Sequence, residues 1–96
     1  MAVPGIEDEQ RRRFRLAFEA SQLKLDQVWM GYFSIGGMTG LVEVQAYLYG
    51  ALSLPQLERD LLAHALNEAL SVRGIDGYRA SYSHEITGDN GAGPAE

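Results

Sequence analysis

Residues 53–72 read SLPQLERDLLAHALNEALSV, and this stretch decides the fold. Its apolar residues recur at intervals of three and four, the spacing that places side chains on one face of an α-helix. They are Leu57, Leu61, Leu62, Ala65, Leu66, Ala69 and Leu70. Ser53, with Gln56 three residues later, matches a capping box, and Gly74 suits the C-terminal end of a helix. We therefore predict one long amphipathic helix over this stretch.

Three shorter helices are expected before it, over residues 7–22, over residues 25–35, and from residue 40 or 41 to 49. Thr39 is the expected N-cap of the third of these helices, because its hydroxyl can accept a bond from the first turn. The predicted fold class is all-α, a compact bundle of about four helices with a disordered C-terminal tail. The expected core contains Phe14, Phe18, Leu25, Val28, Trp29, Phe33, Leu41, Val44, Leu48, Leu61, Leu62, Ala65 and Leu66.

The chain of 96 residues has room for one domain. We expect residues 1–6 to form a flexible arm, residues 7–74 the helical domain, and residues 75–96 a mostly disordered tail. The tail is rich in glycine and poor in aliphatic side chains, so it cannot bury enough apolar surface to offset its ordering entropy. Its candidate anchors on the domain are Ile75, Tyr78, Tyr82 and Ile86. The end beyond Thr87 is expected to be disordered and dispensable.

Composition excludes several classes of function. The chain has no cysteine, which rules out disulfides, zinc–thiolate sites and thiol catalysis. Its formal net charge is −5, and such a chain repels nucleic acid and anionic membranes. No apolar run approaches the roughly 20 residues that span a bilayer, and residues 1–10 do not resemble a signal peptide. We therefore expect a cytoplasmic protein without a membrane partner.

The motifs that mark catalytic or cofactor sites are missing from the sequence. Asp60, His64 and Glu68 are spaced one helical turn apart and could in principle approach a metal, but no His-Glu-x-x-His motif supports a site. We interpret them as a surface histidine between two acids. Residues 36–40 lack the Lys-Ser/Thr pair of a phosphate-binding loop, and no Gly-x-Ser-x-Gly motif occurs. The prediction is a non-enzymatic protein with no catalytic residue, cofactor or metal.

Four arginines form the one basic cluster of the sequence: Arg11, Arg12, Arg13 and Arg15. Glu7, Asp8 and Glu9 stand four residues before the first three of them, which is the favourable order for ion pairs along a helix. A phosphate- or nucleic-acid-binding patch is the functional interpretation of the cluster. We favour a solvated helix face whose charge is neutralised by the acids one turn away.

The third and fourth helices with their short turn permit an alternative prediction, a DNA-binding helix-turn-helix protein with the arginine cluster on phosphates. A recognition helix should present basic or amide side chains to the groove. The start of the fourth helix instead offers Gln56, Glu58, Arg59 and Asp60, and the helix is acidic overall. We therefore expect nucleic acid to be an unlikely partner and keep DNA binding as the alternative.

Three segments carry a resemblance to known proteins: WMGYFSIGG at residues 29–37, EVQAYL at 43–48 and LAHALNE at 62–68. They resemble a group of small, uncharacterised helical proteins of high-GC actinobacteria. The resemblance implies a bacterial cytoplasmic origin and a regulatory setting. It implies no activity and supplies no site residues.

The function expected from these observations is that of a small regulatory or protein-interaction domain, which binds a protein partner or a second copy of itself. The third helix is apolar on two faces, and its neighbours can cover one of them. The predicted partner-binding patch consists of Val42, Tyr47, Tyr49 and Tyr32. The competing interpretation is that the fourth helix and the chain after Gly74 cover this side. A small-ligand pocket between helices is a third possibility.

Overall fold

The computed structural model describes residues 5–75 and 77–86, and the described part of the chain contains four α-helices and no β-strand. The helices are α1 (Gly5–Ser21), α2 (Leu25–Ser34), α3 (Leu41–Leu48) and α4 (Gln56–Val72), and a short 3-10 turn follows at Ser83–Glu85. The predicted all-α class with four helices is confirmed. The predictions for the first part of the arm and for the tail beyond Ile86 lie outside the described residues.

The start of α4 differs from the prediction, because Ser53 does not cap it. Pro55 is the N-cap residue, and its carbonyl accepts the bond from the Arg59 amide at 3.0 Å. The residue before a proline is biased away from helical geometry, and Leu54 lies outside α4. Leu54 is also held in place from outside the helix: its amide donates to Glu7 Oε2 at 3.1 Å, and its carbonyl accepts from Arg59 Nη1 at 2.6 Å.

The start of α3 differs in a similar way. Gly40 is the N-cap residue, with its carbonyl accepting the Val44 amide at 2.9 Å, so the predicted cap at Thr39 is wrong. The Thr39 hydroxyl instead points to Glu58 of α4, 3.4 Å away. Its main chain is used as well, since the Thr39 carbonyl accepts the indole N–H of Trp29 at 2.8 Å. The loop before α3 is therefore fixed by α2 and α4.

The core lies mainly between α2 and α4, and α1 and α3 complete it from the sides. Gly31 faces Ala65 across the two central helices, and a methyl group at Gly31 would lie 3.8 Å from the Ala65 Cβ atom, an ordinary van der Waals contact. Most of the predicted core residues are buried, and the others except Phe33 are half-buried: Phe18, Leu25, Trp29, Leu41 and Leu61.

Phe33 is the exception, with 57% of its surface exposed, and its assignment to the core is wrong. The inward stripe of α2 is centred on Val28 and Tyr32, both fully buried, so the residue after Tyr32 turns outward. The Phe33 ring stacks on Trp29 with 5.3 Å between ring centroids. Trp29 is thereby only half-buried, at the edge of the core.

The packed unit extends past residue 74, where the predicted domain boundary lay. Ala80 and Ile86 are buried, and Ile75 and Tyr82 pack against the core, whereas Tyr78 is exposed. Hydrogen bonds from side chains of α1 and α4 hold this segment in addition to apolar burial.

Candidate protein-interaction surface

A surface groove of about 420 Å³ runs between α1 and the end of α3, and we call it the Tyr49 groove. It is lined by Asp8, Arg11, Arg12, Arg15, Leu16, Glu19, Tyr49 and Gly50. Gly50 adopts a φ of +81°, which turns the chain sharply after α3. The groove therefore has a helix face as one wall and a helix end as the other.

The exposed side of α3 is defined by Val42 and Tyr49, each with 72% of its surface exposed. They stand seven residues apart, so they share one side of the helix axis. Val44, Tyr47 and Leu48 point into the core. Val42 and Tyr49 are thus placed where the predicted partner patch requires them, and their role in binding stays a prediction.

The other two residues of the predicted patch are not on the surface, so their assignment is wrong. Tyr32 and Tyr47 are 0% and 1% exposed. Burial raises the pKa of Tyr47 to about 12, although the nearby Arg11 acts in the opposite direction. The Tyr32 hydroxyl donates to Glu58. Both tyrosines are structural, and neither can meet a partner without unfolding the domain locally.

Arg11 is the arginine of the cluster that is drawn into the fold. Its Nε donates to the Tyr47 carbonyl at 2.7 Å, and its guanidinium lies 4.8 Å from the centroid of the Tyr47 ring. It also pairs with Glu7 at 3.5 Å, as predicted, and with Asp8 at 2.7 Å. Arg11 therefore covers the core under the groove rather than standing in solvent.

Arg12 and Arg13 share one carboxylate, that of Glu9. Arg12 Nη2 lies 2.6 Å and Arg13 Nε 2.7 Å from Glu9 Oε2. These hydrogen bonds lower the pKa of Glu9 to about 2. The predicted Glu9–Arg13 pair is confirmed, but the predicted Asp8–Arg12 pair is wrong because Asp8 bonds to Arg11.

Arg15 differs from the other three arginines. No carboxylate of the described residues lies within salt-bridge distance of it, and its guanidinium instead lies 6.0 Å from the centroid of the Tyr49 ring. A cation above an aromatic face is attracted by the ring quadrupole. Next to this pair, Leu16 leaves about half of its surface exposed. Arg15 and Leu16 were not predicted to belong to one site. The signal present in the sequence was Leu16, an apolar residue off the main apolar stripe of α1.

Glu58, in the first turn of α4, holds the loop between α2 and α3. Its Oε1 accepts from the Met38 amide at 3.0 Å and from the hydroxyls of Thr39 and Tyr32. Burial opposes ionisation of Glu58, but these hydrogen bonds outweigh it and lower its pKa. Gly37 lies flat against the Tyr32 ring, where a Cβ atom would collide. We interpret this cluster as structural.

The Asp60, His64 and Glu68 series does not form one cluster. Asp60 turns inward and accepts from Gln10 and Ser83. His64 turns outward, with Nε2 3.4 Å from Glu68 Oε2. Nowhere in residues 5–75 and 77–86 do three or more histidine or acidic side chains gather so that they could hold a metal ion.

The helix-turn-helix alternative gains no support from the packing. Within the described residues, α3 packs on α1 and α2 rather than on α4. Arg59, the basic residue of the first turns of α4, is also occupied inside the domain. Its Nε donates to Gln10 Oε1 at 2.8 Å and its Nη1 to the Leu54 carbonyl. It is not available to a DNA groove without breaking these bonds.

The comparisons of this chain with protein-family models, with curated proteins and with solved structures give no match. In the part of the chain that the structure describes, every helix is too short or too polar to cross a membrane. Inference about function therefore rests on the surfaces described above.

Proposed function

We propose that this protein is a non-enzymatic, cytoplasmic regulatory domain that binds a partner protein through the Tyr49 groove. The observation that carries the proposal is the exposed Tyr49 ring beside Arg15, which has no carboxylate partner among the described residues. Tyrosine and arginine are enriched at protein interfaces, because each combines apolar contact area with hydrogen bonding. Leu16 and Val42 add exposed apolar surface close to this pair in sequence and on the same helices.

The charges of the groove favour an acidic partner. Three arginines and two acids line it, in a chain whose net charge is −5. Arg11 and Arg12 already pair with carboxylates, whereas no carboxylate of the described residues pairs with Arg15. The complementary occupant is a segment of another protein that places an acidic side chain on Arg15 and an apolar side chain between Leu16 and Tyr49.

Substitutions that place a negative charge in the groove test the proposal. Tyr49→Glu and Arg15→Glu should abolish binding while leaving the thermal midpoint nearly unchanged, because both side chains are exposed. Tyr78→Glu is the matched control, since Tyr78 is an exposed tyrosine outside the groove. A protein retained by the wild-type domain from cytosol is identified, purified and bound again to each variant by titration calorimetry.

The binding results distinguish support for the proposal from its contradiction. Loss of binding in the two groove variants, with retention in Tyr78→Glu and weakening by salt, supports the proposal. Equal binding of the purified partner by wild type and Tyr49→Glu contradicts it. Sedimentation of the domain alone distinguishes the other predicted form of partner: self-association that Tyr49→Glu abolishes would make the occupant a second copy.

A further inference from the structure

Residues 77–86, which we call the C-terminal strap, are held on α4 by the side-chain amide of Asn67. Asn67 Nδ2 donates to the Ala80 carbonyl at 2.9 Å, and Asn67 Oδ1 accepts the Ala80 amide at 2.7 Å. One side chain thus satisfies both main-chain groups of one residue, as a neighbouring β-strand would do. Ala80 itself is completely buried.

Side chains of both α1 and α4 make further hydrogen bonds to the strap. Gln10 of α1 donates from Nε2 to the Ser81 carbonyl at 3.1 Å. Asp60 of α4 accepts the Ser83 amide on Oδ1 and the Ser83 hydroxyl on Oδ2, each at 2.7 Å. Arg13 Nη1 donates to the Ser81 hydroxyl at 3.2 Å. With the two bonds of Asn67 included, four of these six bonds reach main-chain atoms of the strap.

This pattern is the chemistry by which proteins bind extended peptides. Main-chain hydrogen bonds supply affinity with little dependence on sequence, and a few pockets supply specificity. In the strap, the pocket positions are Ala80, where only a small side chain fits, and Ile86, which is buried at its end. Asp60 accepts hydrogen bonds from both the hydroxyl and the amide of Ser83.

Two glycines lie on the path from α4 to Ala80: Gly74 and Gly77, with φ values of +70° and +94°. The Gly74 amide donates to the Ser71 carbonyl at 3.0 Å and so belongs to the end of α4. Gly77 lies beyond these helix-end bonds, and glycine can adopt other conformations there at little cost. The strap side of α1 and α4 also shares no lining residue with the Tyr49 groove.

We propose that α1 and α4 form a binding groove for a peptide that is extended at its start and turns in a 3-10 conformation near its end, and that the strap is its intramolecular occupant. The peptide that fits has a small residue opposite Asn67, a hydroxyl residue three positions later at Asp60, and an aliphatic residue three positions after that. Such a peptide from another protein competes with the strap, which therefore inhibits the groove until it is displaced. This site is independent of the proposed function of the Tyr49 groove.

The test ejects the strap and leaves the groove intact. In the full chain, Ala80→Arg places a charged side chain at a position without space, while Asn67, Asp60 and Gln10 are unchanged. A fluorescein-labelled peptide with the sequence of residues 77–86 is then titrated with wild type and variant by fluorescence anisotropy. We expect binding to the variant to be at least about tenfold tighter, because the fraction of open grooves limits the apparent affinity of the wild type.

Two controls make the result specific to the groove. In the first control, the labelled peptide carries Ala80→Arg and should not bind. In the second, the protein carries both Ala80→Arg and Asn67→Ala. This double variant should bind the unmodified peptide at least about tenfold more weakly than the Ala80→Arg protein, because it lacks both bonds to the main chain of the peptide. Failure of the folded Ala80→Arg variant to bind the peptide overturns the proposal. So does unfolding of this variant by circular dichroism, since the strap would then be an integral part of the fold.

Amide hydrogen exchange of the wild type gives a measurement that needs no variant. A strap that leaves its groove opens below the level of global unfolding. The amides of Ala80 and Ser83 should therefore exchange at least about tenfold faster than that of Leu66 in the core of α4. Equal protection of these three amides contradicts the proposal.

Discussion

Replacing Asn67 by alanine tests the account of how the strap is held. The change removes a donor and an acceptor from the main chain of Ala80, which is completely buried. A buried polar group that loses its partner retains the cost of its lost hydration. Alanine is at least as favourable as asparagine in a helix, so α4 itself should not suffer. The effect should therefore come from the strap alone.

The expected loss can be worked from the two broken bonds. Each buried main-chain group left unsatisfied costs about 1–3 kcal/mol, which gives about 2–6 kcal/mol for the pair. The strap can relieve the larger penalties by detaching, and then only its docking energy is lost. We therefore expect the free energy of unfolding to fall by about 2–3 kcal/mol, within a total of about 5–10 kcal/mol for a domain of this size.

Urea unfolding followed by circular dichroism measures this loss, with Glu68→Ala as the control. Glu68 is the next residue of α4, its side chain is exposed, and its substitution should change the free energy of unfolding by less than about 0.5 kcal/mol. The urea dependence of Asn67→Ala should also become shallower, since a detached strap leaves less surface to expose. A loss as small as that of the control would refute the assignment of Asn67 as the holder of the strap.

Three further predictions concern pH, glycine and tryptophan. Burial raises the pKa of Asp60, but its hydrogen bonds outweigh burial and lower the pKa below the usual 3.8. Ionised Asp60 therefore stabilises the fold fully above that pH, and the stabilisation is lost as the pH falls further. In thermal melts at pH 2–5, Asp60→Asn should make the loss of stability with falling pH less steep. Gly31→Ala should stabilise by up to about 1 kcal/mol in urea melts, whereas Gly37→Ala, which collides with Tyr32, should cost about 1–3 kcal/mol. Trp29→Ala should cost about 2 kcal/mol in the same assay, less than for a fully buried ring.

The sequence predicted the helices because their apolar residues follow the helical period, and this signal does not depend on tertiary contacts. The sequence-based assignment of core residues was wrong where two nearby residues both lay close to the inner face of a helix. Tyr32 and Phe33 both lie near the inner stripe of α2, and Tyr32 is the one that is buried and bonded to Glu58 of α4. Tyr47 and Tyr49 flank α3 in the same way, and Arg11 covers the first. Partners from other helices cannot be inferred from the period of one helix.

Ile75, Tyr82 and Ile86 were predicted as anchors of this segment, but the hydrogen bonds that hold the strap were missed for a different reason. Composition correctly describes a segment poor in aliphatic residues, but it does not count the hydrogen bonds that other elements offer to its main chain. Asn67 and Asp60 are ordinary polar residues of an amphipathic helix when the sequence is read alone. A signal was present at Gln10, which stands four residues before Phe14 on the inner stripe of α1, where a polar side chain needs a buried partner.

The helix α1 carries parts of both proposed surfaces, and Glu9 is a link between them. Its carboxylate accepts from Arg12, which lines the Tyr49 groove, and from Arg13, which donates to Ser81 of the strap. A partner that draws Arg12 away would leave Glu9 to Arg13 alone. Exposed ion pairs are screened by solvent and contribute little, so this exchange changes the strap only slightly. The two proposed surfaces should therefore be filled largely independently of each other.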